Sequence, residues 1–135
     1  MRLERATAYG ILALAHMASR KAKAPAPQQV HIISKETGLP ATYLQKIMSR
    51  LARQRIITGT RGRSGGFKLA KLPKNITMLN IVEAIEGPMD PASVLNDDMV
   101  SGRDATSRRL QKWRQRLVTR LRTMLEETTL GDITG

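Results

Sequence analysis

The residues most able to do chemistry in this sequence are basic side chains that form a run without acidic neighbours. Between Glu36 and Glu83 the chain has nine Lys or Arg and no Asp or Glu. The whole chain carries 23 Lys and Arg against 11 Asp and Glu, a net charge of +12 at pH 7. Because each phosphate neutralised by a cation releases a counterion, clustered cations build affinity for nucleic acid. The charge favours a polyanionic partner, nucleic acid or an anionic membrane face, over a small neutral substrate.

Groups for enzymatic or metal chemistry are not found in the sequence. It contains no cysteine, which excludes disulfides, thiolate nucleophiles and cysteine-ligated zinc or iron–sulfur sites for the chain as written. The loop 61–66 (RGRSGG) is not followed by the Gly-Lys-Ser/Thr of a nucleotide-binding loop. His16 and His31 each lack a second ligand three or four residues away. We expect no enzyme activity, no catalytic residue and no metal ligand.

The elements that must position the cations follow from hydrophobic periodicity and turn residues. Helices are predicted over 3–19, 29–37, from Pro40 onwards, from Thr77 to Gly87 and over 104–127, with a hairpin of strands 56–60 and 67–70. Gly38 is the predicted left-handed stop of the second helix, and Thr77 is the predicted N-cap of the fourth. This order predicts a mainly α fold with a small β-hairpin, a winged helix-turn-helix plus a long C-terminal helix. In such a fold one helix fits the major groove of DNA, and the hairpin reaches an adjacent groove or the backbone.

The last predicted helix has an apolar stripe that the domain itself does not require. The stripe recurs every three or four positions with Arg and Lys between: Leu110, Trp113, Leu117, Leu121 and Met124. An intramolecular core is the alternative, but the position of the helix after a complete domain favours a dimer interface. The predicted division is therefore a DNA-binding domain over 1–87, a loop over 88–103, a dimerisation helix over 104–127 and a C-terminal tail over 128–135.

Three segments carry a resemblance to a known family. The segments 39–51 (LPATYLQKIMSRL), 61–70 (RGRSGGFKLA) and 76–88 (ITMLNIVEAIEGP) resemble winged-helix transcription regulators related to the iron–sulfur regulator IscR, the nitric-oxide sensor NsrR and the cysteine-metabolism repressor CymR. The resemblance runs from Met1 to about Trp113. It implies a homodimer with swapped C-terminal helices that binds palindromic operator DNA.

The resemblance also implies roles for individual residues. It puts Thr42, Tyr43, Gln45 and Lys46 on the recognition helix, with Gln45 at a position linked to base discrimination, and Arg61 on the wing. Arg55 stands where the family usually has glycine, so the recognition helix is expected to end differently. The predicted DNA-binding residues are Thr42, Tyr43, Gln45, Lys46, Ser49, Arg50, Arg61, Arg63, Ser64 and Lys68.

The sensor region departs most from the family. Cluster-binding members carry three cysteines before the tryptophan of the dimer helix, and the matching positions here are Ser93, Ser101 and Ser107. Because a hydroxyl is a poor iron ligand beside a thiolate, we expect no cofactor in the chain as sequenced. A [2Fe–2S] or [4Fe–4S] cluster is expected only if the parent protein has cysteine at all three positions. Two explanations follow from the match: a natural cysteine-free member that lost the cluster, or an apo form with Cys replaced by Ser, and in both the chain would be a former iron–sulfur sensor. The alternative is that these are ordinary loop serines and the match is accidental.

The predicted function is sequence-specific transcription regulation, by a homodimer that occupies double-stranded operator DNA at a promoter. A basic winged-helix protein that binds RNA is the alternative, and preference for a two-fold duplex or for structured RNA separates them. The most apolar stretch, 9–18, is too short to span a bilayer, and no clean signal-peptide cleavage site follows it. We therefore expect a cytoplasmic protein without a membrane partner. The sequence leaves open whether an effector protein or small molecule binds.

Overall fold

The computed structural model describes residues 4–19, 26–63, 65–90 and 102–134. Within them the elements are α1 (Arg5–Ser19), α2 (Val30–Thr37), α3 (Ala41–Arg53), β1 (Ile57–Thr60), β2 (Gly66–Leu69), α4 (Met78–Glu86), α5 (Ala105–Glu127) and α6 (Leu130–Thr134). A short 3-10 turn at Pro73–Asn75 leads into α4. The two strands form an antiparallel hairpin in which Ile57 pairs with Leu69 and Thr60 with Gly66. The predicted fold class, mainly α with a small β-hairpin and a long C-terminal helix, is confirmed.

The main core lies between α1, α2, α3, α4, α6 and the start of β1. Its fully buried side chains include Leu14, Ile33, Leu44 and Ile81. Each apolar side chain of this size contributes about 1.5–3 kcal/mol when it leaves water. Gly10 lets α1 approach its neighbours, because a Cβ there would lie 2.4 Å from Ile85 Cδ1. The core therefore holds α3 against three other helices and leaves only one of its sides open.

The ends of α2 and α3 both use a residue in the left-handed conformation. Gly38 has φ 78° and its N–H bonds to the carbonyl of Ser34, which confirms the predicted stop. Arg55 has φ 60° after α3. Its N–H donates to Ala52 O, and the N–H of Ile56 donates to Leu51 O, the two bonds of a Schellman motif. The expectation that α3 ends differently is therefore wrong, since this motif forms although glycine is absent.

The start of α4 is fixed by its own residues. Thr77 accepts a hydrogen bond from the backbone N–H of Asn80, and the side chain of Asn80 accepts one from the N–H of Thr77. This reciprocal capping box satisfies two otherwise unpaired donors. Ile76 and Ile81 on either side are both fully buried. The predicted N-cap at Thr77 is confirmed.

The end of the chain differs from the predicted tail over 128–135. The backbone at 128–130 pairs with 76–78, where Met78 N–H donates to Thr128 O and Leu130 N–H donates to Ile76 O, both at 2.8 Å. Leu130 then begins α6 with no exposed surface and joins the main core. The correction has a physical reason, because one large apolar side chain and two backbone bonds hold this segment on the domain.

A smaller apolar cluster attaches α5 to α4. Val82, Met89 and Val118 are buried there, and Leu121 and Leu125 pack against them. Arg122 crosses the same contact and donates to Glu83 Oε2 and to Met89 O, both at 3.2 Å.

No helix in the described part of the chain is long and apolar enough to cross a membrane.

Candidate nucleic-acid interface

One side of α3 is polar and open to solvent. Counted from Thr42, its residues lie three, four, seven and eleven positions along, which puts them on one helical face. All of them are exposed: Thr42, Gln45, Lys46, Ser49 and Arg53. The opposite face is buried in the core by Leu44, Ile47, Met48 and Leu51. The core thus fixes α3 so that these five side chains point outward together.

Arg53 is a residue of this face that the predicted DNA contacts do not include. It is one of the nine cations between Glu36 and Glu83, but the predicted contacts on this helix end at Arg50. The missed signal is its spacing, because Arg53 lies one helical turn beyond Ser49 and is exposed. We therefore add Arg53 to the candidate interface.

Two predicted contact residues of α3 lie beside this face and contact the protein itself. Arg50 Nη1 donates to the carbonyl of Ile85 at 3.1 Å, at the C-terminal end of α4. Tyr43 packs edge-on against Tyr9 of α1, with ring centroids 5.6 Å apart and an interplanar angle of 89°. Tyr43 is nevertheless 40% exposed, so its ring has a free side. Both residues have contacts that position α3, whatever else they bind.

The wing, which consists of β1, β2 and the loop between them, carries the predicted cations on its surface. Arg61 and Arg63 are exposed in the loop between the strands, and Lys68 is exposed on β2. The N–H of Gly65 donates to Gly62 O at 3.0 Å and closes the loop. Ser64, the remaining predicted wing residue, lies outside the described residues. The wing therefore offers three guanidinium or ammonium groups without an acidic neighbour in sequence.

The segment before α2 forms an isolated β-bridge with the wing, a contact that sequence analysis missed. The backbone of Gln28 exchanges two hydrogen bonds with Phe67, each 2.8 Å long. Gln29 Nε2 donates to the carbonyl of Arg63 at 2.9 Å. Gly66 permits the approach, because a Cβ there would lie 2.4 Å from Gln28 O. The wing is thereby fixed relative to the helix pair, and the local sequence carries no signal for this pairing.

An open cleft of about 630 Å³ lies between the start of α2, the start of α3 and the wing. Its lining includes His31, Thr42, Gln45, Thr60 and Phe67. The N-cap of α3 is Pro40, which provides no side-chain cap. The first N–H groups of α3 therefore lack a side-chain acceptor, and a helix N-terminus of this kind attracts phosphate. The cleft joins the outward face of α3 to the wing as one surface.

The predicted dimer stripe on α5 divides into two parts. Leu110, Trp113 and Met124 are exposed by 38%, 47% and 65%. Leu117 is half-buried, and Leu121 packs against the cluster that joins α5 to α4. Three of the five residues thus leave apolar surface open to water.

Among the former cluster-ligand positions, only Ser107 lies in the described part of the chain, whereas Ser93 and Ser101 lie outside it. Ser107 is in the first turn of α5, and its N–H donates to Asp104 Oδ1 at 2.7 Å. Hydrogen bonds from the hydroxyl and the backbone N–H of Ser107 lower the pKa of the Asp104 carboxyl. In this chain Ser107 therefore helps cap the helix.

A helix pair with an outward polar face and a paired wing defines a winged helix-turn-helix protein. The chain belongs to the Rrf2 family, whose model is described as an iron-dependent transcriptional regulator and matches residues 3–135. This confirms the relationship inferred from the sequence motifs. The protein is accordingly a DNA-binding transcriptional regulator of the helix-turn-helix type.

Individual relatives match nearly the whole of this chain and about four fifths of their own length. The chain is 31% identical to the protein Rv1287 of Mycobacterium tuberculosis over 139 positions, which cover 100% of this chain and 82% of that protein. It is 27% identical to the HTH-type transcriptional regulator CymR of Bacillus subtilis, covering 93% and 83% of the two chains. The solved structure of that CymR, the global cysteine regulator of B. subtilis, superimposes with a TM-score of 0.77 over 99% of this chain and 96% of that one, at 26% identity.

The iron named in the family description does not fit the donors in this chain. There is no cysteine in the sequence, and the described residues contain no group of three His, Cys, Asp or Glu able to hold a metal ion. Ser107 already bonds to Asp104. Since hydroxyl oxygen is a weak ligand for cluster iron, these residues do not form an iron–sulfur site.

Proposed function

We propose that this regulator binds a palindromic operator in double-stranded DNA as a homodimer and reads the sequence with α3. The observation that carries the proposal is the continuous surface of α3, cleft and wing, on which exposed polar and basic side chains surround a helix N-terminus. A helix with such a face has the width of the major groove. The relatives named above and the net charge of +12 support the same partner.

Different residues of this surface have different tasks in the proposal. Gln45 lies in the middle of the outward face, and a glutamine amide can pair with adenine through two hydrogen bonds. Lys46, Arg63 and Lys68 are long cations for which nothing indicates pairing with the edge of a particular base. In the proposal they therefore contact phosphates. Arg61 enters a narrow minor groove from the wing. Contacts to bases thus specify the sequence while the surrounding cations supply affinity.

The remaining predicted residues support these contacts. Thr42 and Ser49 lie on the same face as Gln45 and provide short hydroxyl groups for bases or phosphates. Ser64 is proposed as a wing contact by its place next to Arg63. Arg53, which the structure adds to the predicted contacts, extends the row of phosphate contacts toward the end of α3. Tyr43 lies beside the outward face near the start of the helix. Arg50 is the member with the smallest proposed part, because its guanidinium already bonds to Ile85 O.

The homodimer in the proposal is formed through α5. Leu110, Trp113 and Met124 expose apolar surface along one side of this helix, and Leu117 lies between them in sequence. Covering such a stripe with a second copy removes apolar area from water and brings two recognition helices together on one operator. The proposed regulator acts without an iron–sulfur cluster as sequenced, since a cluster needs cysteine at positions 93, 101 and 107.

The test begins with selection of preferred duplexes from a randomised pool. The selected site and a scrambled duplex are then compared in competition for the wild type and four variants: Gln45→Ala, Lys46→Ala, Arg61→Ala and Lys68→Ala. Gln45→Ala is expected to lose about 1–3 kcal/mol on the selected site and little on the scrambled one. Lys46→Ala and Lys68→Ala should weaken both duplexes alike, because phosphates carry no sequence information.

Three outcomes would contradict the proposal. Equal weakening of both duplexes by Gln45→Ala would mean that this residue does not read a base. A selected site without two-fold symmetry would argue against the homodimer. Stronger binding of structured RNA than of any selected duplex would replace the proposal by an RNA-binding function.

A further inference from the structure

The helix α5 carries a second concentration of positive charge, separate from α3 and the wing. Its sequence from Ala105 to Leu125 contains seven Lys or Arg and no acidic residue, and Glu126 and Glu127 follow only at the end. The DNA surface described above uses none of these residues. A dimerisation helix needs apolar residues on one side, so its charge calls for a separate explanation.

Four of the seven cations form one stripe on α5, here called the α5 basic face. They are spaced by three, four and four positions and are all exposed or half-buried: Arg109, Lys112, Arg116 and Arg120. Within the described residues none of the four forms a salt bridge. Together with Gln115 and Thr119 they line a shallow groove of about 620 Å³.

The α5 basic face differs from an ordinary solvated helix surface. At the pairs Lys112 with Arg116 and Arg116 with Arg120, like charges stand four residues apart, which destabilises a helix. A surface needed only for contact with water usually places Glu four positions before Lys or Arg, which stabilises it. The cations of this face therefore repel one another along the helix, and a bound polyanion would offset that repulsion.

The α5 basic face lies on the side of the helix opposite its contact with α4. By the angle of about 100° per residue, it lies away from Val118 and Leu125, which pack toward α4. It lies beside the apolar side formed by Leu110, Trp113 and Met124. In a two-fold dimer made through that apolar side, the α5 basic face borders the interface, where Arg116 and Arg120 line one groove with Trp113 and Leu117.

We propose that the α5 basic face binds the phosphate backbone of duplex DNA, outside the segment contacted by α3 and the wing. From Arg109 to Arg120 the face is about 17 Å long at 1.5 Å per residue, a length of B-DNA that carries roughly ten phosphates. The six residues that line the groove are all basic or polar. Charged and polar groups of this kind contact phosphate and sugar. The inference rests on the proposed function, because it takes the bound partner to be the same duplex that α3 and the wing contact.

The test compares two full-length variants with equal loss of charge. The α5-neutral variant carries Arg109→Gln, Lys112→Gln, Arg116→Gln and Arg120→Gln, since Gln has a similar helix propensity to Lys and Arg. The matched control carries four exposed substitutions outside that face and outside the cations between Glu36 and Glu83: Arg5→Gln, Lys35→Gln, Arg103→Gln and Arg108→Gln. A third variant weakens the first surface with Lys46→Ala, Arg61→Ala and Lys68→Ala. Circular dichroism and light scattering establish that all three keep the fold and the assembly of the wild type.

Binding to long random-sequence duplex DNA is measured by fluorescence anisotropy over a series of salt concentrations. For the α5-neutral variant the slope of log K against log salt should fall by about 0.9 for each phosphate that the face no longer neutralises. Its affinity at low salt should fall by at least about tenfold, since the variant removes four cations together. The matched control should change far less than this in both quantities.

The outcomes separate this inference from the proposed function. If the α5-neutral variant behaves as the matched control while the third variant loses affinity, the inference is overturned and the operator proposal stands. If the third variant keeps full affinity and the α5-neutral variant loses it, the proposal for α3 fails and the α5 basic face remains a DNA site. Binding of poly-glutamate is measured in parallel. If the α5-neutral variant loses only this binding and keeps its affinity for DNA, the face binds an acidic protein and the inference is overturned.

Discussion

The helices α3 and α5 are both basic and amphipathic, yet the chain buries the apolar face of α3 and leaves much of that of α5 exposed. In α3, 13 residues long, a continuous stripe of four side chains is buried. In α5, 23 residues long, Val118 is the only buried side chain among those described. The short helix is therefore covered by its own chain, whereas the long one still exposes apolar surface. The comparison teaches that a basic helix presents one fixed outward face where its own core holds it, and otherwise leaves apolar surface in contact with water.

Polar contacts do not make up the difference for α5. Arg122 and Glu83 form an ion pair of 3.2 Å, but both side chains are partly exposed to solvent. Such pairs contribute about 0–1 kcal/mol because water screens the charges and two long side chains lose freedom. The cluster around Val118 and the uncovered stripe must therefore decide where α5 is held.

The largest expected effect is the loss of the dimer when the exposed apolar stripe of α5 is changed, which tests the contrast with α3. The double variant Leu110→Glu with Trp113→Glu puts charge into the proposed dimer interface, where both side chains are partly exposed in one protomer. Since each apolar anchor in an interface contributes about 1–3 kcal/mol and a dimer has two copies of each, the dimer should weaken by at least about a hundredfold. Size-exclusion chromatography with light scattering should then report the mass of a monomer.

The matched control for this experiment is Leu72→Glu, another exposed leucine that lies outside α5. It should leave the mass unchanged, and circular dichroism should find the helix content of both variants close to that of the wild type. A dimer that persists in the double variant would assign the exposed stripe another role and remove the contrast between α3 and α5.

A smaller effect sharpens the comparison within α3. Arg53 lies on the outward face, whereas Arg50 bonds to Ile85 O. Arg53→Gln should lower the salt slope of DNA binding by about 0.9 if it removes one phosphate contact and leave thermal stability unchanged. Arg50→Gln should instead lower the free energy of unfolding by about 0.5–1.5 kcal/mol, the usual contribution of one hydrogen bond, with little change in the slope. Each variant is the control for the other, and identical effects on DNA binding would refute the division of tasks.

Local signals in the sequence are sufficient for the elements of the DNA-binding unit. The buried stripe of α3, the stop at Gly38 and the cap at Thr77 each follow from residues within one or two turns. The outward residues of α3 follow from the same periodicity, and Arg53 could have been found by extending it one turn further. The hairpin follows from its own strand and turn residues, and the family resemblance adds the roles of Gln45 and Arg61 as expectations.

The parts that could not be predicted depend on contacts between distant residues. The bridge from Gln28 to Phe67 joins two segments that lie far apart in sequence, and no local pattern marks it. The helix α6 is a different case, since Thr129 and Asp132 form a capping box through their side chains. That spacing is visible in the sequence and Leu130 beside it is apolar, so the predicted tail overlooks a signal that is present.

The smallest expected effect concerns the end of α3, where Arg55 has φ 60° in a motif that favours glycine. A side chain in the left-handed conformation costs about 1–2 kcal/mol, while glycine adds freedom to the unfolded chain that offsets about 0.4–1 kcal/mol of the gain. Arg55→Gly should therefore raise the free energy of unfolding by about 0.5–1 kcal/mol, measured by urea denaturation. The converse control is Gly38→Ala at φ 78°, where no atom lies within 4 Å of the added Cβ. It should lower stability for purely conformational reasons, and a loss of stability in Arg55→Gly would mean that the arginine side chain makes a contact worth more than the strain.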